Sequence, residues 1–385
     1  IFYGDRFFHY IQTSWLMKFL MVLQVIYFVE IFNPLQGNLL VGVAGALYFI
    51  IPMLWVFMGL LLDERGVRRI LAIVVVIGTL TSAYAIYQHF FGFTEVERYE
   101  LEAKNFFVTV GNKARVMSTF ASVGDFSLYV STSAFIAFAY YWRSKTRLFL
   151  IAAFALILLA MVWGSVRASL FTLAFSIVMF LIVYARDRRI VVLRAAMAVT
   201  AVVGVYSYLY AYTPEEIWHA SGGSKDPFVV HAISGVAHPT EEVSFQKRIA
   251  NWGYILRSSF TTYPVGRGLG STTPAAKKFS GGRGTETDSM FFELMFGSSP
   301  LASLLFLLIA GRLFLDLLNL ATGPGDVFTY RVAFGLLSAR ILGSIFGYDL
   351  RDVVNAPLGW LLIGWVVREI VARREAEEVT PVVAR

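Results

Sequence analysis

The chain has 385 residues, of which 57% are apolar and 15% charged. Soluble domains average about 25% charge. With a mean hydropathy of +0.64 and 34 phenylalanines, the composition excludes a water-soluble enzyme, a disordered regulator and a nucleic-acid binder. There are 33 basic and 26 acidic residues, a net charge of +7. In a polytopic membrane protein such an excess marks cytoplasmic loops rather than an acidic partner. No cysteine is present, which excludes disulfides, thiolate catalysis and cysteine metal sites. The chain starts at Ile1 without a methionine or a signal-peptide pattern, so further residues are expected upstream.

A spanning helix needs about 20 mostly apolar residues, and such runs recur. Ile31 to Leu62 carries no charge but is punctuated by Asn33-Pro34-Leu35-Gln36-Gly37, which predicts a hairpin of two spans over 14–33 and 38–62. Further spans are predicted at 70–94, 119–142, 148–166, 168–185, 190–212, 288–311, 328–348 and 355–372. The expectation is an all-α bundle of about ten spans in this chain. Its parts are an N-terminal bundle of seven spans (1–212), a large external loop (213–287), C-terminal spans (288–372) and a charged cytoplasmic tail (373–385). Short loops dense in arginine and lysine, such as Arg65 to Arg69, Arg143 to Arg147 and Arg186 to Arg189, place the N-terminus inside. The segments 93–118 and 213–287 then face outward, the second as a cap over the bundle.

Charges inside apolar runs are costly and tend to face a cavity, a partner or an anion. Arg167, in Gly164-Ser165-Val166-Arg167-Ala168-Ser169, reads either as an arginine snorkelling at a tight hairpin or as an anion site among small residues. Arg340 lies in mid-span without an acidic neighbour at helical spacing. It needs Asp125, Glu293 or a ligand as counter-charge. Glu30 and His89 read as interfacial groups. Arg248 and Trp252 share a helix face. The arginine is either packed on the tryptophan or offers a donor fork to a phosphate. Pro264-Val265-Gly266-Arg267-Gly268-Leu269-Gly270 permits tight backbone and close approach to a ligand. Asp288 opens the eighth predicted span, as an N-cap or as a carboxylate at the mouth of the bundle. Glu293 lies one turn deeper and could line the same cavity.

This order of features resembles the O-antigen ligase and O-antigen polymerase superfamily of bacterial inner-membrane glycan transferases. The resemblance is carried by Ser165-Val166-Arg167, Arg248 with Trp252, the turn from Pro264 to Gly270, and Asp288-Ser289. It is best over residues 115–310. It implies an all-helical protein of about twelve spans with a periplasmic loop over the active site, so two spans would lie upstream of Ile1. It also implies a donor glycan on undecaprenyl diphosphate and transfer on the periplasmic face, either to lipid A–core (ligase) or to another lipid-linked repeat (polymerase). Ligases of the superfamily show His-Asn where this chain has Asp288-Ser289. That departure favours a repeat-unit polymerase for an O-antigen, a capsule or an exopolysaccharide, with polysaccharide-assembly proteins as further partners.

Transfer from a lipid diphosphate must stabilise the leaving group and deprotonate the acceptor hydroxyl. No Asp-x-Asp pair sits at an external span mouth, and no cluster has metal-ligand spacing. The expectation is therefore a reaction without metal or other cofactor, in which arginines stabilise the developing charge. Arg167 and Arg248 would clamp the diphosphate, with Arg340 as a third cation. Asp288 would act as base or orient the acceptor, and Trp252 and Glu293 would contact the substrate. A single displacement would invert the anomeric carbon. The competing class is a flippase or other transporter of lipid-linked glycans.

Overall fold

Capping residues set most helix boundaries in a computed structural model of the chain, which describes residues 4–103, 109–110, 113–164, 166–184, 193, 197, 243–279, 287–351 and 353–383. The predicted span 190–212 and residues 213–242 and 280–286 of the predicted external loop otherwise fall outside this set. Packing divides the chain into two units, one of Ile1–Val67 with Lys247–Arg385 and one of Arg68–Gln246.

The first unit begins with α1 (Gly4–Thr13) and α2 (Trp15–Glu30), which meet at a bend of 108°. Ser14 makes the bend by leaving the helical region and accepting the Met17 amide at its side chain. Asn33 and Asn38 cap the next turns, and Gly37 takes a left-handed φ of 82°. The chain then re-enters as α3 (Leu39–Met53) and α4 (Trp55–Leu61), so the predicted hairpin is present. The C-terminal part contributes α10 (Val243–Thr261), α11 (Pro274–Phe279), α12 (Met290–Gly297), α13 (Pro300–Thr322), α14 (Phe328–Phe346) and α15 (Ala356–Val383). The predicted span 288–311 is therefore two helices. Ser299 (φ 147°) breaks it, caps α13 through the Ala302 amide, and precedes Pro300 at a first-turn position. There the absent proline N–H costs nothing.

In the second unit, α5 (Glu64–Phe91) leads to α6 (Glu95–Ala103), a minimal antiparallel pair of β1 (Thr109–Val110) with β2 (Lys113–Ala114), and then α7 (Val123–Tyr141), α8 (Arg147–Gly164) and α9 (Arg167–Tyr184). Helix α7 is the buried one, with Phe126, Val130, Phe135 and Ile136 fully enclosed. Apart from the β1–β2 pair, the regular structure of the described residues is helical.

Among the described residues, four helical stretches are long and apolar enough to cross a membrane: Leu39–Leu61, Glu64–Phe91, Arg147–Gly164 and Pro300–Thr322. The bent α1–α2 pair makes a fifth if it counts as one span. Less than half of each stretch is covered by protein. The uncovered faces carry Leu47, Ile51, Ile73, Val76, Leu301 and Leu308, where water would select charge. This is the surface that a lipid bilayer solvates, and the chain is a helical membrane protein.

Small residues let helices touch backbone to backbone. A Cβ on Gly59 of α4 would collide with the Leu361 carbonyl of α15, and one on Gly364 with the Val56 carbonyl of α4. Gly59→Ala and Gly364→Ala should each destabilise by about 1–3 kcal/mol or more through overpacking. Gly253→Ala meets nothing within 4 Å and should instead stabilise α10 by about 0.5–1 kcal/mol. Thermal unfolding in detergent separates the two classes.

The α5–α6 junction is held by Glu97. Its Oε1 accepts from the Tyr84 hydroxyl (2.9 Å) and Gln88 Nε2 (2.8 Å), and its Oε2 from the Thr94 amide (2.7 Å) and hydroxyl (2.9 Å). Burial alone would raise the carboxyl, but the hydrogen bonds from Thr94, Tyr84 and Gln88 outweigh it and hold the group below its ordinary range. A depressed folded value stabilises the junction above the ordinary carboxylate pKa, and that contribution is lost as pH falls through the folded value. Hydrogen-exchange protection of the Thr94 amide, corrected for intrinsic rate, should therefore drop on acidification in the native chain. In Glu97→Gln it should start lower and stay flat.

Candidate functional site

Helix α10 forms where the sequence predicts a shared face, and Arg248 and Trp252 stand one turn apart on it. Arg248 Nε donates to Asp288 Oδ2 at 2.8 Å, with the two side chains 40% and 50% exposed. The Trp252 ring stacks on Phe292 of α12 (centroids 5.0 Å, planes at 15°) and lies 6.2 Å from Phe346. The aromatic contact thus seats α10 against α12, and the ion pair sits at the open end of that contact.

Asp288 is not the helix cap. Ser289 caps α12, its side chain accepting the Phe292 amide, and the Met290 amide is tied to the Gly347 carbonyl at 2.8 Å. Because a neighbour performs the capping, the Asp288 carboxylate is left to engage Arg248. Among the described residues, the Arg248 Nη groups have no protein acceptor. A guanidinium held by Nε presents its two outer nitrogens as a fork, the geometry that suits a phosphate.

One turn inward, Glu293 is buried. It accepts from Arg351 Nη1 at 2.6 Å, and the two side chains are 0% and 7% exposed. The Arg351 guanidinium lies over the rings of Tyr348 (4.7 Å), Tyr48 (4.9 Å) and Phe49 (5.4 Å). Thr272 approaches the same carboxylate without hydrogen-bond geometry, and the buried Tyr27 lies within electrostatic reach of it. The expectation that Glu293 would face the substrate cavity is corrected here. Its partner is an internal arginine, and neither is open to solvent. Glu293 is not the counter-charge of Arg340 either.

Arg340 is also redirected. It is 1% exposed, and its Nη1 donates to the carbonyls of Asp349 (3.0 Å) and Asn355 (2.9 Å). These two contacts tie Arg340 to the turn between α14 and α15, where carbonyls need donors.

The glycine turn approaches the chain's own backbone. Gly266 (φ 86°) and Gly268 (φ 108°) adopt left-handed conformations. The amides of Arg267, Gly268 and Leu269 donate to the carbonyls of Phe296, Gly297 and Glu30. A Cβ on Gly270 would strike the Val41 carbonyl. The three glycines therefore thread the turn between α12 and the α2–α3 hairpin, and no ligand is needed to explain them.

Arg167 begins α9, three positions after α8 ends at Gly164, and Ser165 between them lies outside the described residues. Its side chain lies outside the described residues, and it belongs to the other unit. His89, read as interfacial, stacks on Trp163 (4.0 Å, 7°). Glu30 is 8% exposed and accepts from Asn33 Nδ2 at 2.7 Å.

Of the predicted site residues, the structure thus brings together Arg248 and Trp252 of α10 with Asp288, which precedes α12, and Glu293 lies one turn deeper on α12. Arg351 is the residue that sequence reasoning missed. Its local context, Tyr348-Asp349-Leu350-Arg351-Asp352, reads as an ordinary polar hairpin, and its partner is 58 positions away. The chain matches no protein-family model and no curated protein. The functional reading therefore rests on its own residues.

Proposed function

We propose that the chain is a membrane glycosyltransferase of the O-antigen ligase/polymerase type, most consistent with a repeat-unit polymerase for O-antigen, capsule or exopolysaccharide. It would span the bacterial inner membrane about ten times, with residues 213–287 and the Arg248–Asp288 pair on the periplasmic side. The observation that carries the reading is the 2.8 Å contact between Arg248 and Asp288. It puts a phosphate-binding fork and a carboxylate side by side at an accessible position, which is what a lipid-diphosphate donor and a hydroxyl acceptor require.

In this reaction the acceptor oxygen attacks the anomeric carbon of the donor sugar, and the bond from that carbon to the diphosphate oxygen breaks. The acceptor proton passes to Asp288. The negative charge gathering on undecaprenyl diphosphate is met by the Arg248 fork, where it develops, and Arg167 is the second cation that the resemblance implies. One displacement inverts the anomeric centre. Trp252 offers an apolar face beside the sugar, while Glu293 and Arg340 support the scaffold rather than touch substrate.

The test is reconstitution of the purified chain in liposomes with a labelled lipid-linked oligosaccharide and no energy source. Longer glycans are expected. Transfer only when lipid A–core is supplied would assign the ligase reaction. Movement of the label across the bilayer without a new bond would replace the enzyme reading with a flippase. The broken helix at Ser299 and the bent α1–α2 pair favour that second reading, because interrupted helices are a feature of transporters.

A further inference from the structure

Helix α1 (Gly4–Thr13) is two-faced. At about 100° per residue, Asp5, His9, Gln12 and Thr13 fall on one side, and Phe7, Phe8, Tyr10 and Ile11 on the other. The apolar side meets protein only in part. The Phe7 ring packs edge-on against Phe57 of α4 (centroids 5.6 Å, planes at 88°), whereas Phe8 is 66% exposed. On the polar side, His9 Nε2 meets Glu375 Oε1 of α15 at 2.5 Å, and both side chains are about half exposed. Asp5 and Gln12 are exposed as well.

The neighbours of α1 set its depth. Glu375 lies just past the predicted span 355–372, in the charged stretch Arg373-Arg374-Glu375. Charges in close succession cannot stay in the apolar layer and mark its edge, so His9 is held at the membrane surface. At its other end α1 meets α2 at 108°. A helix turned that far adds no length to a crossing by α2 and runs near the plane of the bilayer. The corner carries Trp15, 60% exposed, with Lys18 Nζ 4.6 Å from the centre of its ring. Tryptophan and lysine at a helix end sit at the headgroup level. From Trp15 the exposed apolar surface goes on along α2, at helical spacing, through Val22, Val25 and Val29. It is of the same kind as the surface that the bilayer solvates on the other spans.

We propose that α1 is an interfacial anchor whose partner is the lipid surface: it lies in the headgroup layer on the side where α15 ends, with Phe8 in the acyl boundary and His9 toward water. Amphipathic helices of this kind bury their apolar face about 5–10 Å into that boundary. The His9–Glu375 contact ties the polar side to α15, and the Phe7–Phe57 contact ties the apolar side to α4. Lipid then covers the part of the apolar side that protein leaves open. The bend at Ser14 marks where the chain enters the bilayer and is not an interrupted span of the transporter kind. This inference rests on the chain being a membrane protein and not on the glycosyltransferase reading.

The chain has no cysteine, so a nitroxide can be placed at one position at a time. The variants are Phe8→Cys, Gln12→Cys, Val25→Cys and Glu378→Cys, in the full chain reconstituted in nanodiscs of phosphatidylcholine and phosphatidylglycerol. Collision with oxygen reports acyl depth, and collision with a nickel chelate reports water. The label at position 8 should read between the deep label at 25 and the aqueous label at 378, and the label at 12 should read close to 378. A label at 8 as deep as the one at 25 would put α1 inside the acyl core. One as aqueous as that at 378 would put α1 off the membrane. Either result overturns the proposal. Hydrogen exchange of the α1 amides gives a second measurement on unlabelled protein. Intrinsic propensity alone makes Gln12→Ser more harmful to the helix than Phe8→Ser. Loss of lipid contact reverses that order, so Phe8→Ser should speed exchange about tenfold or more relative to Gln12→Ser. Equal exchange in the two variants, or faster exchange in Gln12→Ser, also overturns the anchor.

Discussion

Arg351→Met is expected to destabilise the chain by about 3–5 kcal/mol, because it strands the buried Glu293 carboxylate without the charged donor it pairs with. Whole domains are stable by about 5–15 kcal/mol, so the loss should show as a large fall in unfolding temperature and in the yield of folded protein. Glu293→Gln should be milder. The stranded guanidinium keeps its contacts with Tyr348, Tyr48 and Phe49, and aromatic faces soften the burial of a cation. The double variant Glu293→Gln with Arg351→Met removes both charges and should recover much of the loss, as paired replacement of buried ions commonly does. The four unfolding temperatures form a cycle. If the double variant is as damaging as the two single losses added together, the pair is not coupled in the folded protein.

The apolar runs made the helices legible because a bilayer leaves few other arrangements for uncharged stretches of such length. The α2–α3 hairpin was readable from Asn33, Pro34 and Gly37, which cap and turn the chain locally. The break within 288–311 was overlooked since the run stays apolar throughout. Yet Gly297-Ser298-Ser299-Pro300 carries a stop, a cap and a first-turn proline, signals that outrank hydropathy at a helix end. The face shared by Arg248 and Trp252 follows from helical spacing alone. What joins that face to Asp288 is tertiary, across 40 positions, and no local pattern encodes it. Arg340 and the glycine turn show the opposite error. An intramembrane arginine and a glycine-rich run suggest a ligand, but buried carbonyls at the α14–α15 turn and close backbone crossing at Val41 make the same demands.

The division of labour between the two ion pairs follows from exposure. Glu293–Arg351 is sealed by rings and contributes to the positioning of α12 relative to the segment after α14. Arg248–Asp288 stands at the start of the same helix with both side chains about half open. A pair of this kind is weak as a stabilising element, about 0.2–1 kcal/mol. Holding a guanidinium in one orientation for a ligand is a use that its accessibility permits.

That weakness makes the functional prediction sharp. Arg248→Ala is expected to lower the rate of glycan extension by about 10²–10³, the usual loss when one donor to developing charge is removed. Its unfolding temperature should move little, since the pair adds little to stability. Arg248→Lys should not rescue, because an ammonium cannot bond Asp288 and present a second, forked pair of donors at once. Asp288→Asn keeps the shape of the contact but removes the proton acceptor, so it should lower kcat more than it raises KM for the donor. The two residues act as a unit, and the double variant should be little slower than the worse single one. Arg167→Ala is expected to match Arg248→Ala if both grip the diphosphate. Wild-type extension rates in Arg167→Ala and Arg248→Ala alike, in protein that remains folded and inserted, would remove the diphosphate clamp, since a fork that contributes nothing to turnover is only a surface arginine beside an aspartate.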